Sequence, residues 1–480
     1  MNYRMVLYNL GRILLVVAAA MVIPWFVAIY YGERSHWAFP LPILISFAAG
    51  IALTVKPPQN KSIYVREGLV VVSLAWFIIS IIGALPFYIS GAIPSFVDCF
   101  FETVSGFTTT GATILSNVEG LSKSLLFWRS FTHWLGGMGV LVLATAIFST
   151  KSTRTTYVMK AEMPGPGADK LVSKWQFSIR ILYTIYTALT VIETVLLVMG
   201  GMPLFDSILH AFGTAGTGGF GIKNSSVAFY NSAYIDYVIG IFMVLFAANF
   251  SIYYLLLMRR YRQAAVNDEI KWYIGIVLSV TLIIAFNIMS TYGSFGQAFR
   301  YSFFQVASIM STTGYSTTDF ATWPALSQSL LVAVMFIGGC VGSTGGGFKV
   351  KRFVVLVKTA VCEIKRTISP RSVQSVKMDG KSLEPSMVSG ILGYFVVYAL
   401  LIIVSVLIVS MDNMDLTTTF TAVMATVNNI GPGLGAVGPM GNFGDFSVLS
   451  KIVMSIGMLA GRLEIYPVLV LALPYTWKRS

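Results

Sequence analysis

The chain has 480 residues, of which 56% are hydrophobic and only 11% are charged. Because a water-soluble domain carries about 25% charged residues, this composition excludes a soluble fold and indicates a polytopic membrane protein. The net charge of +13 is dispersed in short basic clusters without a nucleic-acid-binding module, which argues against nucleic acid as a partner. Cys99, Cys340 and Cys362 lie far apart in the chain and are interpreted as structural thiols.

Apolar segments long enough to cross a bilayer, about 20 residues each, occur along the whole chain. The first follows a basic start like that of a signal peptide, but its apolar run is too long for one, so we expect a retained helix. An even number of spans places both termini on the same side of the membrane. The ten predicted spans lie near residues 8–31, 40–57, 67–91, 124–148, 176–200, 231–258, 270–291, 325–358, 386–410 and 446–475.

Most lysine and arginine residues lie in alternate loops or at the termini. The positive-inside rule places these loops, and both termini, in the cytoplasm of a multi-pass plasma-membrane protein. The longest basic segments are residues 151–174 and 349–381. We expect these two segments to dock a soluble regulatory partner through their charge, in addition to any contact with membrane lipid.

Four moderately apolar stretches in the opposite, charge-poor loops are too short to cross the bilayer. Aligned on a shared glycine, they carry apolar residues eleven and seven positions upstream, an i, i+4 stripe that predicts a short helix. A hydroxyl or amide residue lies two positions before each glycine. The stretches are SFVDCFFETVSGFTTTGAT, LFDSILHAFGTAGTGGFGI, FRYSFFQVASIMSTTGYST and TTTFTAVMATVNNIGPGLG, aligned on Gly111, Gly219, Gly314 and Gly431.

Each short helix lies between two predicted spans, so the chain contains a fourfold repeat. The sequence predicts an all-α polytopic membrane protein in which four helix–re-entrant helix–helix repeats surround one pore, preceded by two extra transmembrane helices. The predicted units are an N-terminal two-helix domain at 1–60 and repeats at 61–150, 175–262, 268–366 and 384–480.

Non-helical backbone survives in a bilayer only where it is buried in protein or lines water. One such stretch alone would be interpreted as a structural loop, but four in register favour an ion pathway whose carbonyl oxygens replace the hydration shell of a cation. Glycine leaves no Cβ in that path. The absence of carboxylates near the glycines favours K⁺ or Na⁺. The predicted ligands are Thr109, Thr110, Gly111, Thr217, Gly218, Gly219, Thr312, Thr313, Gly314, Asn429, Ile430 and Gly431.

The motifs TTTGAT, GTGGFGI, STTGYSTTDF and NNIGPGLG, with GGCVGSTGGGFKVKR and GRLEIYPVLVL, resemble the membrane subunit of bacterial Trk-type potassium uptake systems, in the Trk/Ktr/HKT superfamily. The resemblance runs essentially end to end. It implies a pore within each monomer for K⁺, also for Rb⁺ and less well for Na⁺. It further implies a homodimer, a cytosolic nucleotide-binding regulatory subunit of the TrkA/RCK type, and neither enzymatic activity nor a covalently bound cofactor.

Residues 342–349, GSTGGGFK, lie inside the predicted span 325–358 but lack the Gly-Lys-Ser/Thr that cradles phosphate. A simple helix kink needs fewer glycines than this run contains. In the family the matching intramembrane loop, here 340–349, blocks conduction when closed, and Arg462 aligns with a basic residue that faces the pore. The expected gate residues are Gly342, Ser343, Thr344, Gly345, Gly346, Gly347, Lys349 and Arg462.

Several ionisable residues allow more than one interpretation. Asp98, Glu102 and Asp206, on the first two short helices, attract cations at the outer mouth or, for the two aspartates, complement the helix N-termini. Arg462 and Glu464 in the last span form a structural ion pair or a control point of the ion path. His36, His133 and His210 are scattered, and none is assigned to a metal site.

Two mechanisms remain open for the predicted transport. A regulated channel needs parallel repeats and a fixed ring of ligands, as the sequence predicts. A symporter that couples K⁺ to H⁺ or Na⁺ is expected to have inverted repeats, broken helices and buried carboxylates. In every repeat, the Tyr-Gly that follows the glycine in a K⁺ channel is replaced, which predicts fewer ordered carbonyl layers. The replacing residues are Ala112, Phe220, Tyr315 and Pro432.

Overall fold

The computed structural model describes residues 1–60, 64–139, 175–372 and 374–477. Within these residues the chain is predominantly helical, and its one hairpin pairs β1 (Lys377–Met378) antiparallel with β2 (Lys381–Ser382). The helices are arranged as an N-terminal pair followed by four units, each of which begins with a long helix followed by a shorter one. The all-α polytopic fold expected from the sequence is confirmed.

The N-terminal pair is α1 (Tyr3–Tyr30) and α2 (Pro40–Thr54). The two helices approach closely because a glycine of each helix lies at the contact. A Cβ on Gly11 would lie 2.7 Å from the Cβ of Leu53, and one on Gly50 would lie 3.0 Å from the carbonyl oxygen of Gly11. Small residues at such a crossing let backbones approach in lipid, where no hydrophobic effect drives two helices together.

The helices of the four repeats follow in chain order. Repeat one comprises α3 (Val65–Ile89), α4 (Phe96–Phe107) and α5 (Lys123–Gly137). Repeat two comprises α6 (Trp175–Met199), α7 (Leu204–Gly216), α8 (Ala233–Phe246) and α9 (Phe250–Leu257), and the short α10 (Tyr261–Ala265) follows it. Repeat three comprises α11 (Asp268–Tyr292), α12 (Phe295–Met310), α13 (Ala325–Met335) and α14 (Val350–Ile368). Repeat four comprises α15 (Pro385–Val409), α16 (Leu416–Val427), α17 (Val448–Arg462), α18 (Tyr466–Ala472) and α19 (Pro474–Trp477).

Three of the four short helices, which are α4, α7, α12 and α16, begin with a side-chain cap. Ser95 caps α4, Ser294 caps α12 and Asp415 caps α16, each by accepting a backbone N–H in the first turn. These are preferred N-cap residues because their side-chain oxygens satisfy donors that the helix leaves free. Hydrogen bonds from the hydroxyl and the backbone N–H of Thr418 lower the pKa of Asp415. The helix α7 instead begins after Pro203 without a side-chain cap.

The last helix of repeats two, three and four is broken, and the sequence predicted only the break in repeat three, at the loop 340–349. The predicted span 231–258 is two helices, α8 and α9, that meet at 91°. The predicted span 325–358 is interrupted over residues 336–349, and 446–475 is interrupted at Leu463–Ile465. Hydropathy could not detect these breaks because the interrupted backbone still carries mostly apolar and small side chains.

Six helices in the described part of the chain are long and apolar enough to cross a membrane. They belong to the N-terminal pair and to the first helix of each repeat, and residues 140–148 of the predicted span 124–148 lie outside the described part. The first helices of repeats two, three and four expose large apolar side chains, such as Leu407, along much of their length. They therefore form the lipid-facing periphery, and the short helices lie inside it.

Candidate functional site: a fourfold ring of backbone

The four short helices end in the same backbone conformation. In each, the residue two positions before the shared glycine has a left-handed backbone conformation, which residues other than glycine rarely adopt. The φ angles are 55° at Thr109, 56° at Thr217, 62° at Thr312 and 55° at Asn429. The shared glycines also have positive φ, at 81° for Gly111, 72° for Gly219, 90° for Gly314 and 96° for Gly431.

Each helix end is closed by the same pair of hydrogen bonds. The left-handed residue donates its N–H to the carbonyl three residues back, and the next residue donates to the carbonyl five residues back, as in a Schellman motif. The second bond spans 2.8 Å from Thr110 to Ser105, 2.8 Å from Gly218 to Gly213, 2.9 Å from Thr313 to Ser308 and 2.8 Å from Ile430 to Ala425. The chain therefore leaves all four helices in the same way, although the residues differ.

The four strands that follow, residues 109–111, 217–219, 312–314 and 429–431, are hereafter called the ring. A Cβ on Gly111 would overlap the carbonyl oxygen of Gly218, and the same holds for Gly219 with Thr313 and for Gly314 with Ile430. A Cβ on Gly431 would lie 2.8 Å from the carbonyl oxygen of Thr110, which closes the circle. All four predicted strands are thus brought together, each in contact with the next.

The ring has uncharged oxygen atoms that the protein leaves unsatisfied. Within the described residues, the hydroxyl oxygen of Thr109 and the amide oxygen of Asn429 are buried without a hydrogen-bond partner. The amide nitrogen of Asn429 donates to the Thr110 hydroxyl and to the carbonyl of Met458, each at 2.9 Å. These bonds fix the amide so that its oxygen stays free. A buried oxygen that accepts no hydrogen bond destabilises the folded protein unless something else interacts with it, and a bound cation can do so.

The interrupted segment, residues 336–349, lies against the ring. The N–H of Gly346 donates to the Thr312 hydroxyl at 2.6 Å, and a Cβ on Gly345 would lie 3.0 Å from the carbonyl oxygen of Ser311. A Cβ on Gly346 would lie 2.7 Å from the carbonyl oxygen of Asn428. The predicted loop 340–349 is thus part of this break, and its glycines permit contact with the ends of two short helices.

The helix breaks in repeats two and three supply hydrogen-bond partners to each other. Cys340 donates its N–H to Ala247 at 2.9 Å, and Phe250 donates to Gly342 at 3.0 Å. The hydroxyl of Thr344 donates to Phe246 at 3.1 Å. Each break frees backbone groups that cannot remain unpaired in a bilayer, so the two breaks depend on one another.

Arg462 connects the interrupted segment to a different repeat. Its guanidinium donates to the carbonyl of Thr344 at 2.6 Å and to those of Gly136 and Gly137 at 2.6 and 2.7 Å. Glu464 does not pair with Arg462 but with Arg352 of repeat three. Lys349, which has a positive φ of 83°, donates its ammonium to Gly345 within the same segment.

The expectation that Glu102 attracts cations at the outer mouth is wrong. Its carboxylate is buried and accepts a hydrogen bond from Arg129 at 2.6 Å and from the N–H of Ile114 at 3.0 Å. The two aspartates are also engaged, because Asp98 pairs with Lys451 at 2.7 Å and Asp206 accepts from Tyr230 at 2.7 Å. Glu102 therefore holds the chain that leaves the ring.

Two residues next to the ring, Arg129 and His133, were not predicted to have a role. Both are buried on one face of α5, one turn apart, and both contact the repeat-two strand where it leaves the ring. The signal in the sequence was an ionisable pair at i, i+4 inside a predicted span, which by itself indicates a buried partner. Among the described residues, no three His, Cys, Asp or Glu side chains are placed to hold a metal.

A polytopic helical membrane protein that closes uncharged carbonyl, hydroxyl and amide oxygens into a ring is built for cation transport. The chain belongs to the TrkH family, described as cation transport proteins, whose family model matches residues 38–478. It is therefore a transport protein and not an enzyme.

Relatives and a solved structure match along the whole chain. The sequence is 36% identical to the Trk system potassium uptake protein TrkH of Salmonella typhimurium and to that of Escherichia coli K12, with full coverage of each chain. It is 33% identical to an uncharacterized cation transporter of Methanocaldococcus jannaschii, covering 97% of this chain and 94% of the relative. The crystal structure of the potassium transporter TrkH from Vibrio parahaemolyticus matches with a TM-score of 0.89, 33% identity and full coverage of both chains.

The buried pair Glu102–Arg129 generates a stability prediction. Glu102→Ala leaves a guanidinium in a closed environment without its carboxylate, so we expect the free energy of unfolding to fall by about 3–5 kcal/mol. Thermal unfolding of the purified protein in detergent measures the change. As a control, Glu363→Ala breaks the exposed pair with Arg366 and is expected to cost less than about 1 kcal/mol. Equal shifts for the two variants would contradict the structural role of Glu102.

Proposed function

We propose that this protein mediates potassium uptake across the plasma membrane of a bacterium, through a regulated, channel-like pore whose selectivity filter is the ring. The observation that carries the proposal is the closed circle of four identical helix ends, each followed by a glycine packed against the next strand. A ring of uncharged oxygens can replace the hydration shell of a monovalent cation. Potassium as the ion is supported by the names of the relatives.

The opening of the ring favours passage rather than storage of the ion. One cavity is lined by all four glycines, and its rim carries polar residues that include Ser316 and Asn442. Around this opening, each ring glycine packs against a backbone carbonyl of a neighbouring strand. The ring residues are all uncharged, so dipoles supply their interaction with the ion, which suits a monovalent cation.

Symport of K⁺ with H⁺ or Na⁺ is the second candidate function, and two observations favour it. The second helices of repeats two, three and four are broken, and Glu193 on α6 is fully buried within a span. Broken helices and buried carboxylates are features of coupled transporters. The repeats, however, share one polarity, and the breaks in repeats two and three satisfy each other instead of forming a second ion site. We therefore propose the channel.

Ion flux in proteoliposomes tests both the proposal and the alternative. The reversal potential of the purified protein is expected to follow the K⁺ gradient and to be unaffected by independent H⁺ or Na⁺ gradients. Gly219→Ser introduces a Cβ that would overlap the carbonyl oxygen of Thr313, at a positive φ that serine disfavours. The K⁺/Na⁺ permeability ratio is therefore expected to fall about tenfold. Gly275→Ser is the control, since open space surrounds Gly275. A reversal potential that shifts with the H⁺ or Na⁺ gradient would establish symport instead.

We further propose that residues 340–349, with Arg462, form the gate of this pore. The support is the contact of Gly345 and Gly346 with the ends of the third and fourth short helices. Arg462 fastens this loop to repeat one by hydrogen bonds to three carbonyl oxygens. A loop held by a few hydrogen bonds can exchange between two states that differ by a few kcal/mol.

Loss of the Arg462 contacts is expected to open the gate. Arg462→Ala removes charge-assisted hydrogen bonds, so the flux of K⁺ without any partner protein is expected to rise about tenfold. Deletion of Gly345–Gly347 is expected to act in the same direction because it shortens the loop. Stopped-flow measurement of K⁺ flux in proteoliposomes gives the rates, and Arg366→Ala at an exposed position is the control. If a folded deletion variant shows the same K⁺ flux as the wild type, the segment is only a structural kink in the helix and the gate proposal is wrong.

The proposed regulator is a soluble nucleotide-binding subunit of the TrkA/RCK type that docks on the cytoplasmic side of a homodimer. The interrupted segment continues directly into α14, and Lys365, Arg366 and Arg371 are exposed around the other end of that helix. Docking there could therefore shift the gate through one rigid helix. The second basic segment, residues 151–174, lies outside the described residues. Both termini are placed in the cytoplasm by the same proposal.

Docking through exposed charge predicts binding that depends on salt. Co-purification of the regulatory subunit is expected to weaken as the ionic strength rises above about 0.15 M, where exposed charges are screened beyond about 8 Å. Charge reversal by Lys365→Glu with Arg371→Glu is expected to reduce binding at low salt. Arg34→Glu, on an exposed loop expected on the outer side, is the matched control. Binding that is indifferent to salt and to the double reversal would count against this surface.

A further inference from the structure

His133 lies in direct contact with the repeat-two strand of the ring. Its side chain is fully buried, and its ring centroid is 4.1 Å from that of Phe220, the residue that follows Gly219. The guanidinium carbon of Arg129 lies 3.5 Å from the centre of the same Phe220 ring. Phe220 is therefore contacted by two side chains of α5, a helix of repeat one.

The hydrogen bonds of His133 determine its protonation state. Nδ1 is 2.7 Å from the carbonyl oxygen of Gly106, and Nε2 is 3.2 Å from the backbone nitrogen of Phe220. A carbonyl only accepts and a backbone N–H only donates, so Nδ1 carries the proton and Nε2 is the acceptor. The neutral imidazole thus connects the end of the first short helix to the strand of the next repeat.

His133 also occupies the space of a missing side chain. The residue before the shared glycine is Thr110, Thr313 or Ile430 in three repeats, but it is Gly218 in repeat two. Gly218 is absent from the positive-φ positions, so its backbone does not require glycine. A Cβ there would overlap the His133 imidazole. The imidazole of repeat one therefore fills the position that a side chain of the ring itself fills elsewhere.

The anchoring of this strand differs from that of the other three. In repeats one, three and four, the chain after the glycine is bonded to a side chain of its own short helix. In repeat two, the N–H of Phe220 and the carbonyl of Gly221 are instead bonded by His133 and Arg129. The corresponding bonds elsewhere are Ile114 N–H to Glu102 at 3.0 Å, Ser308 hydroxyl to Tyr315 carbonyl at 2.6 Å and Leu434 N–H to Thr421 hydroxyl at 2.9 Å.

We propose that His133 is a positioning residue that sets the cation selectivity of the repeat-two quarter of the ring. This inference rests on the proposed function, because it concerns the same filter. The imidazole fixes where the Thr217 and Gly218 carbonyl oxygens point, by filling the space behind Gly218 and by holding Phe220. A filter with one loosened strand has a less defined cavity, and it discriminates less between K⁺ and Na⁺ because dipole number and distance determine that preference.

Two substitutions separate hydrogen bonding from space filling. His133→Gln retains a donor and an acceptor in one side chain, whereas His133→Met fills similar space and lacks the donor. Methionine is tolerated at the equivalent place in repeat four. There Gly461 packs against the carbonyl oxygen of Val427 as Gly136 packs against that of Phe107, and Met458 precedes Gly461 by three residues, as His133 precedes Gly136. His36→Gln, in the loop between α1 and α2, is the control.

The readout is the K⁺/Na⁺ permeability ratio in proteoliposomes, with thermal unfolding as the check on folding. His133→Met is expected to lower the ratio about three- to tenfold, and His133→Gln to stay within about twofold of the wild type, because only the former loses both hydrogen bonds. Gly218→Ala is expected to lower the ratio as well. Adding His133→Ala to Gly218→Ala is expected to restore part of it, since the new Cβ then has room.

The outcomes distinguish this inference from the proposed function. A wild-type protein that fails to select K⁺ overturns the proposed function, and the inference falls with it. A selective wild-type protein whose His133→Met variant is folded and equally selective overturns the inference alone. If His133→Met does not fold, the comparison of Gly218→Ala with the double variant decides, and equal ratios in those two overturn the inference.

Discussion

Every unusual feature of this protein follows from the requirement that backbone polar groups inside a bilayer be satisfied within the protein. Each unsatisfied group costs several kcal/mol in lipid, so a chain that leaves helical geometry there needs a partner for each one. The four short helices meet the requirement with identical capping bonds, such as Thr110 to Ser105. The two breaks in repeats two and three meet it by bonding to each other, as in Cys340 to Ala247. At the ring, the Thr109 hydroxyl oxygen and the Asn429 amide oxygen remain without a partner in the described residues, and a cation there can interact with both.

The fourfold symmetry belongs to the backbone and not to the side chains. The four left-handed positions hold threonine or asparagine, and the positions before the glycines hold threonine, glycine or isoleucine, yet the φ angles agree within 7° at the first of these positions. Around this constant backbone, each strand is held by different chemistry. A carboxylate serves in repeat one, an imidazole and a guanidinium from a neighbouring repeat serve in repeat two, and hydroxyls serve in repeats three and four. The backbone of the ring is thus nearly symmetric, while the side chains that support it differ.

The buried and half-buried arginines have different kinds of partner. Arg129 and Arg352 are paired with Glu102 and Glu464, so their charge is neutralised and they act as structural links between elements. Arg462 donates to carbonyl oxygens of repeat one and of the interrupted segment. These arginines therefore link elements of different repeats to one another.

The sequence by itself determined that the protein lies in a membrane, that it contains a fourfold repeat, and which strands form the ring. Hydropathy and glycine spacing are local properties, so they can be read directly along the chain. The register on Gly111, Gly219, Gly314 and Gly431 was enough to predict four equivalent strands. Only the tertiary structure decided where the helices break at Ala247 and Leu463, since a break depends on the partner that satisfies it. It also decided that Glu102 faces Arg129 and not the outer mouth, and that His133 lies behind Gly218. These contacts join residues far apart in the chain, and no local pattern encodes which distant group will fill a space or accept a proton.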